Sequence, residues 1–347
     1  MKLKKLTAAV LAVMMVLSLS ACASENVKWI ATNNGKQVPS GIYLTYMLNA
    51  YSQATGKVAD QDKDVMKQEI DGVPAAQWIQ NKTDESFKRH IAIENQAAEQ
   101  GIVISDIERA YIDQQIGYQW QFMGAMYEKN GISYDSYAAV SQNAYLENML
   151  FEAQYGAKGK TPIPDADILK AFQDGYYKTL YVSMSLLDNE GKEKDEAGKK
   201  AVIDKANEVY TKATAEGANY SDVILAYEKE QAVAKGEEES SVHEHTESSH
   251  VSFIPKDSTG YDADFLKQIG EMKNDDIRVI TTSSTVYVLK KLDITENPLD
   301  VESYRTTVMK TLKGEEYNNT ILGWVDAVTV DYNPEAKKLY TPNKLKF

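Results

Sequence analysis

Residues 251–295 read "VSFIPKDSTGYDADFLKQIGEMKNDDIRVITTSSTVYVLKKLDIT", and the stretch breaks into four pieces. Val251–Ile254 is a short apolar run, and Asp262–Met272 carries its apolar residues at helical spacing. Arg278–Thr282 is β-branched, and Val286–Leu292 alternates in the manner of a half-buried strand. Upstream, Tyr181–Leu187 ("YVSMSLL") predicts an earlier strand. It is followed by a helix of good formers, Ala197–Glu216, with Val202, Ala206, Val209 and Tyr210 on one face. Together these pieces predict a small β-α-β domain.

After that helix, Gly217-Ala218-Asn219-Tyr220 precedes a second one, Ser221–Glu230. Parvulins have Gly-Ala-Asp-Phe at this place, and the order of elements over roughly Lys178–Thr295 resembles the parvulin rotamase domain of extracytoplasmic foldases of the PrsA and SurA type. The resemblance implies peptidyl-prolyl isomerase chemistry, in which a twisted X-Pro amide is held without any covalent step or cofactor. The family places two histidines inside the sheet, and this chain departs from it at both. The first, in Ala-Ser-His-Ile-Leu, aligns with Ser185, or with Met184 if shifted by one residue; the second, in Gly-Tyr-His-Ile-Ile-Lys, aligns with Tyr287. The family's Ser-Asp-Cys/Asp segment falls near Tyr227-Glu228-Lys229 and its Gly-Gly-Asp-Leu-Gly loop near Ser248–Ser252, and neither matches. A catalytically degenerate domain is the expectation; an active isomerase with a nonstandard site is the alternative.

The N-terminal part is predicted to be helical. Val27–Ala31 and Gln37-Val38 flank Asn34-Gly35, a type I′ hairpin signal. Ser40 is expected to cap a helix that runs to about Thr55, closed by Gly56. Asp60–Ser86 is polar and broken by Pro74, with a short helix over Val73–Ile79; Phe87–Gln100 is a helix ended by Gly101. Ser105-Asp106-Ile107-Glu108 is a capping box opening a helix as far as Lys129. Ser133 caps Tyr134–Tyr155, and Asp165–Tyr177 follows Thr161-Pro162-Ile163-Pro164. The succession "IENQAAEQGIVISDIERAYIDQQI", "NGISYDSYAAVSQNAYLENML", "IPDADILKAFQDGYYKTLYV" resembles the SurA-type N-terminal chaperone domain. Within it Tyr118, Trp120, Phe122, Met123, Met126 and Tyr127 cluster. Aromatics with methionine make a pliable apolar surface for varied clients, although such a stripe is more often plain core.

The first residues set the address. Met1–Lys5 is basic, Leu6–Leu17 is apolar and too short to span a bilayer, and Leu19-Ser20-Ala21-Cys22 matches a bacterial lipobox. By that resemblance residues 1–21 are a cleaved signal and Cys22 is diacylated, tethering the protein to the outer face of the bacterial cell membrane. Cys22 is the single cysteine, so no intramolecular disulfide forms. A net charge of −13 repels nucleic acid and anionic membrane surfaces, leaving unfolded exported polypeptides as the expected partners and the oligomeric state open.

Gln231–His250 is a polar insertion holding three of the four histidines, His243, His245 and His250, among glutamates. Histidine with carboxylate can ligate zinc or copper, but this spacing matches no site of defined geometry. A metal- or substrate-binding lipoprotein is therefore a further alternative. Val301–Val325 predicts a helix and Val328–Tyr332 a strand. By analogy with SurA and PrsA these return to the helical lobe. The predicted fold class is thus α+β: a mainly helical lobe over residues 22–177, completed by 298–347, with a parvulin-like domain inserted at 178–297.

Overall fold

The structure, a computed structural model, describes residues 27–242 and 250–347. It opens with the expected hairpin: β1 (Trp29–Asn33) and β2 (Lys36–Pro39) pair antiparallel. Asn34 and Gly35 both take positive φ, 50° and 76°, as a type I′ turn requires. α1 (Ser40–Lys57) follows, with two departures from expectation. Ser40 is the first helical residue rather than the cap, because its hydroxyl is committed to the Val27 carbonyl at 2.7 Å. Gly56 lies inside the helix instead of closing it.

After the tiny hairpin of β3 (Glu69–Ile70) and β4 (Val73–Pro74), α2 runs unbroken over Ala75–Glu99. The sequence predicts two pieces there. Pro74 stands just before the helix, where its lack of an N–H removes no helical bond. The polar middle is amphipathic, with Ile79, Thr83 and Phe87 buried, and the Thr83 hydroxyl is satisfied by the Ile79 carbonyl at 2.7 Å. α3 (Asp106–Lys129) starts at a complete capping box: Glu108 N–H donates to Ser105 Oγ, and Ser105 N–H donates to Glu108 Oε2 at 2.8 Å. α4 (Tyr134–Tyr155) is capped by Ser133, as predicted.

The second half contributes α5 (Asp165–Gly175), β5 (Tyr176–Ser185), α6 (Glu196–Ala213) and α7 (Tyr220–Ala234). Next come β6 (Ser252–Pro255), α8 (Ala263–Glu271), β7 (Ile277–Thr281) and β8 (Thr285–Leu292). A 3₁₀ turn over Pro298–Tyr304 leads into α9 (Arg305–Ala327), then β9 (Asp331–Tyr332) and α10 (Pro334–Leu339). The strand predicted over Val328–Tyr332 shrinks to its last two residues.

The chain divides into two compact units, one of residues up to Pro162 with Glu315–Phe347, the other Ile163–Gly314. In the first, Ile30, Tyr43, Met47, Ile79, Phe87 and Ile91 form the heart of the core. The C-terminal segment completes it. β9 adds to the free edge of β1, with Ala31 opposite Tyr332. Lys337 of α10 reaches the Tyr43 hydroxyl at 2.6 Å and Asp84 Oδ1 at 2.5 Å, its ammonium lying over the Tyr43 and Tyr332 rings.

The second unit is a four-stranded antiparallel sheet in the order β6-β5-β8-β7. Alternation splits its faces. Leu180, Val182, Met184, Val286 and Val288 point to α6 and α7, where they pack with Ala206, Val209, Tyr220 and Ile224. Ile254, Ile280 and Leu289 point the other way, to Phe265, Leu266 and Ile269 of α8. Sequence reading assigns α5 and residues 298–314 to the helical lobe, whereas they belong to this unit. Phe172, Tyr176, Phe253 and Tyr304 form one aromatic cluster with centroids 5.1–5.5 Å apart. Arg305 donates to Asp165 Oδ1 at 2.7 Å beside it.

Candidate functional site

Two surfaces, one in each unit, hold the residues that the sequence singles out. On the sheet, the β5–β8 register sets Ser183 opposite Tyr287 and Ser185 opposite Thr285. Ser185 and Tyr287 therefore share a face, but the Ser185 hydroxyl is engaged elsewhere. The Ser185 hydroxyl accepts from Leu187 N at 2.9 Å and donates to the Leu187 carbonyl at 3.1 Å, closing a local turn. Met184 points to the opposite face and is buried against the α6–α7 side. The Tyr287 ring packs 4.3 Å from Phe265 and edge-on to Tyr181 at 5.7 Å, while Tyr261 stacks on Phe265 at 5.4 Å.

This is a tyrosine-lined wall, with α8 as its lid. Burial raises the Tyr287 phenol above its ordinary pKa. Burial, followed by the hydrogen bond with Tyr181, pushes Tyr261 up to about 12. Both phenols stay neutral at physiological pH. They can donate a hydrogen bond and offer a ring, but they cannot exchange protons near neutrality as imidazoles do.

On α3 the arrangement differs. Ile112, Ile116, Gly124 and Tyr127 are its buried residues. The predicted aromatic-methionine cluster splits in two. Trp120 and Tyr127 stack at 5.7 Å, and Trp120 also meets Tyr134 and Tyr137 of α4. Met126 packs against the main core. Tyr118, Phe122 and Met123 face outward, 66%, 70% and 42% exposed. Val103, Ile107 and Tyr111 are also open, 75%, 85% and 61%. Ile107, Tyr111, Tyr118 and Phe122 fall at helical intervals of four and seven, so they form one outward stripe. Sequence reasoning missed Ile107 and Tyr111. The available signal is that α3 carries two apolar faces, one through Ile112 and Ile116 and one through Ile107 and Tyr111, and a helix with two such faces has one to spare.

Cys22, His243 and His245 lie outside the described residues. His250 lies beside α7, its Nδ1 3.9 Å from Glu228 Oε1. Among the described residues no group of three or more histidine, cysteine, aspartate or glutamate side chains is arranged to hold a metal ion. Nor is any described helix long and apolar enough to cross a membrane.

No protein-family profile matches the chain, and no curated protein matches it. Solved structures do. The chain is similar to the foldase protein PrsA of Streptococcus pneumoniae at 19% identity, covering 77% of this chain and 90% of that one with a TM-score of 0.34. PrsA of Lactococcus lactis matches at 14% identity over 89% of this chain and 96% of that one, TM-score 0.38. PrsA of Bacillus subtilis matches at 15% over 74% and 87%, TM-score 0.33.

Proposed function

We propose that this protein is a membrane-tethered extracytoplasmic chaperone that holds unfolded exported polypeptides on the open face of α3, and that its parvulin-like unit does not catalyse isomerisation. The observation that carries the reading is the exposed stripe of Ile107, Tyr111, Tyr118 and Phe122. Large apolar side chains left in water along one helix face mark a surface that meets other chains. Two further observations support the second half of the reading. The hydroxyl of Ser185 is bonded to Leu187, and Tyr287 is packed on Phe265, so neither replaces an imidazole pair. The tether rests on the lipobox Leu19-Ser20-Ala21-Cys22 in the sequence. By the same analogy, the helical part with its C-terminal return is the chaperone lobe and the sheet unit is the inserted domain.

Two assays on the full chain test this together. Aggregation of a thermally unfolding client should slow in its presence, and a protease-coupled X-Pro peptide should isomerise at the background rate. An isomerisation enhancement that disappears in Tyr287→Phe would overturn the noncatalytic assignment. Fatty-acid labelling in cells should vanish in Cys22→Ala; label retained at the wild-type level would refute the anchor.

A further inference from the structure

α3 contains two glycines in its interior, beside the outward stripe, where each costs stability relative to alanine. Gly124 has a packing reason: a Cβ there would sit 2.7 Å from the Trp120 indole nitrogen. Gly117 has none. A Cβ at Gly117 would meet nothing within 4 Å, and its backbone is not in the left-handed region. Gly117 lies in the lining of an open groove of about 430 Å³, with Asp113, Gln114, Gln115, Tyr118 and Gln121. Apart from Asp113, charge is missing here too. Residues 114–127, "QQIGYQWQFMGAMY", include no charged side chain, in a chain where 26% are charged and the net charge is −13.

We infer that Gly117 is a notch for one aliphatic side chain of an uncharged, extended client segment. This inference rests on the proposed chaperone reading and names what that surface selects. The missing Cβ admits the side chain to the helix backbone beside the Tyr118 ring. The carboxamides of Gln114, Gln115 and Gln121 each carry donors and an acceptor, which matches the alternating N–H and C=O groups of an extended peptide. No cation lies in the window to attract an acidic segment, and Asp113 at the rim repels one. An anionic residue entering the groove would lose hydration without gaining a partner. Recognition by carboxamides and rings is also insensitive to salt, unlike recognition by charge.

The test exploits opposite signs. Gly117→Ala improves helix propensity and meets no clash, so the thermal midpoint should rise by about 1–4 °C. The same methyl fills the notch and should weaken binding of a fluorescent Leu/Ser/Asn peptide about tenfold. A peptide with the central leucine replaced by aspartate should bind wild type at least about tenfold more weakly, and binding of the neutral peptide should vary little with salt. A rise in midpoint with unchanged peptide affinity overturns the inference, as does a fall in midpoint or equal binding of the aspartate peptide. Wild-type chain that suppresses aggregation yet ignores the neutral peptide refutes the notch alone. Failure in both assays refutes the chaperone reading and the notch with it.

Discussion

The two aromatic surfaces of this protein are built from the same residue types and end in opposite states. On the sheet, Tyr261 and Tyr287 pack on Phe265, which is 1% exposed, and Tyr181 meets Tyr287. Their rings are spent on one another. On α3, Tyr111, Tyr118 and Phe122 point away from the core, although Trp120 and Tyr127 of the same helix fill it. An aromatic-rich stretch is therefore not in itself a binding surface. What distinguishes the two is whether a second element packs on the rings and half-buries them, as α8 does on the sheet, and whether charge is kept away, as it is over residues 114–127.

The comparison breaks most sharply at Phe265. Phe265→Ala removes the ring on which Tyr261 and Tyr287 pack, and should cost about 3–5 kcal/mol of the sheet unit's stability by denaturant unfolding. A loss under about 1 kcal/mol would mean that the wall is not a packed core. The α3 face should respond in the reverse way. Combining Ile107→Ser, Tyr118→Ser and Phe122→Ser should raise the concentration needed for half-protection of a client at least about tenfold. Each substitution should shift stability by no more than about 0.5 kcal/mol, since these are exposed positions. Unimpaired protection would show that the stripe is not the client surface. The smallest effect is expected at the root of α3. Ser105→Ala removes one half of the capping box and should cost about 1 kcal/mol, with faster hydrogen exchange confined to the first turn. A uniform change along the helix would contradict a local cap.

Much of the fold was legible because its signals are local. Asn34-Gly35 specifies its own turn, Ser105 with Glu108 its own cap, and the alternation in Val286–Leu292 its own strand. Long-range features were hidden. The continuity of α2 depends on which of its polar residues face the core, and Thr83 reveals that only through burial. The division of the chain near Pro162 and Gly314 depends on Phe172 meeting Tyr304, residues far apart in sequence. For the candidate sites, the alignment points to Ser185 and Tyr287, but does not show that Ser185 closes a turn onto Leu187. It finds the cluster around Tyr118, but not which half of that cluster faces water, because exposure is set by what packs alongside.

Site-specific photocrosslinking compares the two surfaces in one experiment. A benzophenone side chain replaces Tyr118 in one sample of the full chain and Tyr287 in another, and each is irradiated with an unfolding client. The predicted result is a client adduct from position 118 and none above background from position 287. Adducts from 287 with none from 118 would contradict the assignment of client holding to the open face of α3.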